Sequence, residues 1–114
     1  MLHGVPSRLR NVRILFDQGT PVPLRESLTR HEVASAYERG WSQLKNGDLL
    51  DAAETATFEV FVSTDRNLRH QQDLRSRRIA VVVLPTPSWP RALTVVVRAV
   101  DTAIPGSYVE VEIP

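Results

Sequence analysis

Two aspartates follow directly on short runs of strand-forming residues: Asp17 after Ile14-Leu15-Phe16, and Asp65 after Phe61-Val62-Ser63-Thr64. In an open α/β sheet ligands bind outside the carboxyl ends of the strands, so acids at those junctions stand where chemistry is done. Asp48 heads a helical pattern in the same alternation and is placed to approach that edge. Three carboxylates meeting there repel one another unless a cation lies between them. All-oxygen donors select Mg2+ or Mn2+ rather than zinc. Such an ion activates water and offsets charge on a phosphodiester. Each acid also has a plainer reading. Aspartate is stabilised in the first turn of any helix, which covers Asp48. Asp65 could cap the turn that follows it, and Asp17 could make a local Asx-turn hydrogen bond.

The segment after Asp65 is basic: Arg66, Arg69, His70, Arg75, Arg77 and Arg78 are relieved only by Asp73. It reads either as a solvated loop or as a phosphate-gripping wall beside the acids, with Arg66, Arg69 and Arg75 as its nucleic-acid contacts. His31 and His70 are isolated and are read as surface residues. Trp41 and Trp89 are read as packing anchors, and Asp51 and Glu54 as the solvated face of their helix.

What positions these residues follows from the apolar pattern. Residues 1–11 form a polar leader, expected to be flexible, and 12–114 a single domain. Val12 to Phe16 reads as a strand. Thr20 and Pro21 suit a helix start, and Leu24 and Leu28 lie four apart as in a short amphipathic helix. His31 to Ser35 reads as a brief second strand, and Tyr37 to Gly40 as one helical turn. Leu49, Ala52, Ala53 and Ala56 mark a helix from Asp48, and Glu59 to Ser63 the next strand. The unbroken run Ile79 to Leu84 suits a strand buried on both faces of a parallel sheet. Ser88 to Ile104 contains Val95-Val96-Val97, yet Leu93, Val96, Val97, Val100 and Ile104 share one helical stripe, so a helix is expected. Ser107 to Ile113 alternates as a terminal strand, with Tyr108, Glu110 and Glu112 on one face, and glutamates protect an edge. This alternation predicts an α/β fold with a central, mostly parallel sheet covered by helices.

The totals exclude several classes. Among 114 residues none is cysteine, so disulfides, thiolate metal sites and cysteine nucleophiles are absent. No stretch approaches the roughly 18 apolar residues of a membrane span, and no signal-peptide core opens the chain, so a cytoplasmic location and no membrane partner are expected. Net charge is +1 and does not by itself demand a nucleic-acid partner. Lys45 is the sole lysine; the arginine-heavy remainder reflects GC-rich coding as readily as phosphate partners. No Gly-x-Gly-x-x-Gly follows a strand and no P-loop occurs. A receiver-type phosphoacceptor domain needs a lysine near the end of its last core strand, where this chain has Val83-Leu84-Pro85-Thr86.

Four segments in order resemble the small bacterial PIN-like proteins, a family of predicted nucleases often described as domains of unknown function. Ile14-Leu15-Phe16-Asp17-Gln18-Gly19-Thr20-Pro21 is similar to their leucine–leucine–aspartate–glutamate–asparagine–x–proline opening. His31-Glu32-Val33 resembles their second strand, and Asn46-Gly47-Asp48-Leu49-Leu50-Asp51-Ala52-Ala53 their acidic helix start. Val62-Ser63-Thr64-Asp65-Arg66-Asn67-Leu68 resembles their signature after the central strand. The resemblance runs from about Val12 to Leu84. It implies a three-layer α/β/α PIN-like fold and Mg2+- or Mn2+-dependent cleavage of single-stranded RNA, commonly as the toxin of a toxin–antitoxin pair. Carried over by position, Asp17, Asp48 and Asp65 would be catalytic and metal-binding, with Asn67 able to add a carbonyl oxygen. Gln18 and Asn67 stand where relatives often have further acids, and fewer carboxylates weaken hard-cation binding. The alternative expectation is therefore a non-catalytic protein-binding module on the same scaffold. A cognate antitoxin is the partner that the toxin reading implies, and a homodimer whose apolar surface serves assembly alone is a third expectation.

Overall fold

The computed structural model describes residues 11–71, 73–84 and 89–112. The flexible leader expected over 1–11 lies, but for Asn11, outside the described residues, as does Ile113. Five strands form one sheet: β1 (Arg13–Phe16), β2 (Glu32–Ser35), β3 (Val60–Ser63), β4 (Ala80–Val83) and β5 (Tyr108–Glu110). Their order is β2-β1-β3-β4-β5 and every neighbouring pair is parallel. Among the described residues, three α-helices, α1 (Asn46–Thr55), α2 (Leu68–Gln71) and α3 (Leu93–Asp101), and three 3₁₀ segments at Val22–Leu28, Leu74–Ser76 and Trp89–Ala92 join them. The result is a three-layer α/β/α fold, as the alternation predicts.

Period-two alternation divides the central strands between two cores. Ile14, Phe16, Val60, Val62, Ala80 and Val82 pack on one face against Leu24, Leu28, Val96 and Val100. Leu15, Phe61, Val81 and Val83 pack on the other against Leu49, Leu50, Ala53, Leu68 and Leu74. Strands β3 and β4 are buried throughout, which explains the unbroken apolar run at β4. Truncating the fully buried Phe61 to alanine would cost about 3–5 kcal/mol.

The Val95-Val96-Val97 ambiguity resolves as helix, because Val96 and Val100 reach one core from the same side of α3. This helix lies on the face that carries the first crossover, while the β2–β3 and β3–β4 crossovers occupy the opposite face. Since β4 to β5 steps in the same direction as β3 to β4, the last crossover has the opposite hand to the other three, against a strong general preference for right-handed units. The arrangement brings the end of α3 beside the start of β2. There Asp101 Oδ1 accepts from His31 Nε2 at 2.9 Å and from Arg30, and His31 Nδ1 accepts the Val12 N–H at 3.1 Å. The Val12 bond leaves the ring proton on Nε2. His31 is thus buried, correcting its reading as a surface residue. Its partner lies 70 positions along the chain.

Three smaller readings also change. The segment after Pro21 is 3₁₀ rather than α, although Leu24 and Leu28 are buried as the spacing requires. Thr20 does not cap it; its hydroxyl donates to the Val62 carbonyl at 2.8 Å. Glu54 is not solvated: it pairs with Arg77 at 3.1 Å and accepts the Arg78 and Ile79 N–H groups, tying α1 to the start of β4. Trp41 and Trp89 pack as expected, Trp41 edge-on to Phe58 with centroids 6.1 Å apart. His70 is exposed.

Candidate functional site

The chain leaves β1 for β2 on one side, while β3 flanks β1 on the other, so the order reverses between β1 and β3. The crevice at the carboxyl ends of two such strands is where ligands bind in open α/β sheets. Asp17 and the segment Ser63–Asp65 occupy that crevice. Phe16 pairs with Val62, and Asp17 donates its N–H to the Val62 carbonyl at 2.9 Å, so Asp17 stands level with Ser63.

A chain of hydrogen bonds joins the two aspartates. Ser63 Oγ donates to Asp17 Oδ2 at 2.9 Å and accepts the Asp65 N–H at 3.0 Å. Asp65 Oδ2 then accepts from Asn46 Nδ2 at 3.2 Å. The plainer local bonds are present too: Gln18 N–H to Asp17 Oδ1 at 2.8 Å, and Asn67 N–H to Asp65 Oδ1 at 2.9 Å. Both carboxylates are therefore held by neutral donors. A carboxylate offers about four acceptor positions, so each aspartate keeps oxygen lone pairs for a further ligand. The loop after β1 is closely fitted to this end of β3. A Cβ on Gly19 would lie 2.9 Å from Thr64 Oγ1, so glycine is required there by close approach.

Asp48 is not drawn in. The helix begins at Asn46, and its buried positions Leu49, Leu50 and Ala53 put Asn46 on the inner face. Asp48 falls about 200° around the axis and is exposed with Asp51 and Thr55. The helix thus presents an amide, not a carboxylate, to Asp65. Among the described residues no three His, Asp or Glu side chains gather in an arrangement able to hold a metal ion. The acids at this edge are Asp17 and Asp65, linked through Ser63 from the Asp17 carboxylate to the Asp65 backbone N–H. Hard oxygen donors suit Mg2+ or Mn2+, and two carboxylates would hold either more weakly than three. Asn67 is exposed and takes part through its backbone N–H.

The flanking acids are neutralised by arginines. Beyond β2, Arg25 grips Glu38 with both terminal nitrogens, at 2.8 and 3.1 Å, and Ser35 N–H adds a bond at 2.9 Å. These donors, the Arg25 bond foremost, pull the Glu38 carboxyl down to about 2, and the same pairing raises Arg25. Beyond β4, Glu110 accepts the Tyr108 hydroxyl at 2.7 Å and lies 3.7 Å from Arg69. The Tyr108 bond, then the positive charges of Arg69, Arg66 and His70, lower the Glu110 carboxyl. Burial, and then Glu110, push Tyr108 up to about 12; the Asp65 charge adds to the rise. Of the expected phosphate contacts, Arg69 lies 3.7 Å from Glu110 and the Arg66 charge acts on the same carboxyl, whereas the Arg75 side chain is almost fully exposed.

The residues missed by sequence are Ser63, Asn46, Tyr108 and Glu110. Ser63 carried one signal: a hydroxyl at the end of an otherwise apolar buried strand has to find a partner. Comparison with protein-family models, with curated proteins and with solved structures returns no match. The class defined here is thus a three-layer α/β/α protein with two linked aspartates at the strand-order reversal.

Proposed function

We propose that the chain is a Mg2+- or Mn2+-dependent ribonuclease that cuts single-stranded RNA at the Asp17–Asp65 edge. The observation that carries the reading is the placement of Asp17 and Asp65 at the crevice between β1 and β3, where Ser63 links the Asp17 carboxylate to the Asp65 backbone N–H. Asp17 and Asp65 hold the cation. Ser63 orients the Asp17 carboxylate and anchors the Asp65 backbone, Asn46 and the Asn67 N–H orient the Asp65 carboxylate, and Arg66 and Arg69 receive the phosphate. A bound divalent ion supplies Lewis acidity and a hydroxide from water near neutral pH. Asp48 forms no part of this centre. The toxin role and an antitoxin partner rest on the sequence resemblance alone. No helix among the described residues is long and apolar enough to cross a membrane.

The outward position of Asp48 favours a second reading, a binding module whose metal site is depleted. Titration calorimetry with Mn2+ separates the two. The ribonuclease reading expects binding heat that Asp65→Asn abolishes and Asp48→Asn retains; the same heat from Asp65→Asn would remove it.

A further inference from the structure

A groove of about 730 Å3 runs beside α2 and the start of β5, lined by Arg69, His70, Asp73, Leu74, Arg75 and Tyr108. Residues of α2, which begins three residues after Asp65, form one wall, and the Asp65 carboxylate is close enough to the Tyr108 hydroxyl to help raise its pKa. Its cations are loosely held. Arg69 stands 3.7 Å from Glu110 and Arg75 3.7 Å from Asp73, beyond the roughly 2.7–2.9 Å of a charge-assisted hydrogen bond. Their side chains are 54% and 94% exposed, so these pairs contribute little and are free to exchange carboxylate for phosphate. Tyr108 is different. Its ring packs on the core, and its hydroxyl is fixed on Glu110. The Arg69 guanidinium sits 5.8 Å from the ring centroid, near the outer limit of a cation–π contact, and the ring is only partly buried. With its pKa near 12 the phenol stays neutral beside a polyanion.

We propose that this groove holds the single strand flanking the bond at Asp17 and Asp65, with Arg69 and Arg75 on its phosphates and one base stacked on Tyr108. The proposal rests on the phosphodiester reading of the aspartate edge. Exposed cations beside a fixed aromatic ring are what sequence-tolerant single-strand binding uses; an acidic peptide would use the arginines and leave the ring idle.

Anisotropy of a labelled single-stranded oligoribonucleotide, measured in EDTA across a salt series, tests it apart from catalysis. Tyr108→Ala is expected to weaken binding by about 5- to 150-fold, the loss of one stacked base, and Tyr108→Phe to retain it. Arg75→Ala should reduce the salt slope by about 0.7, one single-strand phosphate contact. Thermal melts confirm that each variant is folded. Absent binding, binding indifferent to Tyr108→Ala and Arg75→Ala, or an acidic peptide that binds as tightly as RNA would overturn the subsite. Intact binding without cleavage would instead contradict only the nuclease reading.

Discussion

The Ser63 hydroxyl donates to Asp17 Oδ2 at 2.9 Å from a fully buried position at the end of β3. The same oxygen accepts the Asp65 N–H, so one small side chain orients acids on two adjacent strands. Ser63→Ala leaves the part-buried Asp65 N–H without its acceptor and frees Asp17 to turn. A loss of about 1–3 kcal/mol is expected, read as a lower urea midpoint, together with weaker Mn2+ binding. An unchanged midpoint and unchanged binding would show that the bridge is dispensable.

Gly19 tests the fit of the β1 exit loop. Alanine there puts a methyl 2.9 Å from Thr64 Oγ1, so either the loop or Thr64 must shift. Gly19→Ala should reduce cleavage at least tenfold while costing about 1–3 kcal/mol of stability, the usual penalty of overpacking. Gly40, whose added Cβ would meet nothing within 4 Å but whose φ is +77°, provides a contrast remote from this contact. Gly40→Asn should leave cleavage intact.

Asp101 ties α3 to the start of β2 through the buried His31. Asp101→Ala strands the His31 Nε2–H and removes the Arg30 partner, at an expected cost of about 1–3 kcal/mol. Because the contact lies at the opposite end of the strands from Asp17, Mn2+ binding by the folded variant should match wild type.

Glu38 and Tyr108 contribute to the pH response of stability at its acid and alkaline ends. The folded carboxyl of Glu38 lies near 2 against an ordinary 4.5, so its contribution is present above pH 4.5 and is lost as pH falls through 2. Glu38→Gln should flatten that part of an acid unfolding profile, and added salt should shrink it, since the pair is exposed. Tyr108 has the opposite sense: its folded value near 12 exceeds 10.0, so stability present below pH 10 is lost as pH rises through 12. Tyr108→Phe should remove the tyrosinate absorbance step near 12.

The sheet was legible because strands buried on both faces must be apolar at every position, as Ala80 to Val83 are. Asp17 and Asp65 were legible because strand ends meet at one edge whatever the loops do. The third acid was not. Helix α1 begins two residues before Asp48, and two residues are about 200° of rotation, enough to turn a site-facing acid into a solvent-facing one. His31 was opaque for another reason, since no local pattern announces a buried partner as distant as Asp101. Glu110 was read as protecting an edge, and it does lie on the edge strand β5; its links to Tyr108 and Arg69 depend on loop geometry that the alternation does not encode.

Cleavage of a single-stranded oligoribonucleotide with Mn2+ tests the two-aspartate centre most directly, comparing wild type with Asp17→Asn, Asp65→Asn and Asp48→Asn. The account predicts cleavage by wild type and Asp48→Asn, with a loss of at least a hundredfold (about 2.7 kcal/mol or more of barrier) in the other two. Equal cleavage by wild type and Asp17→Asn would contradict it.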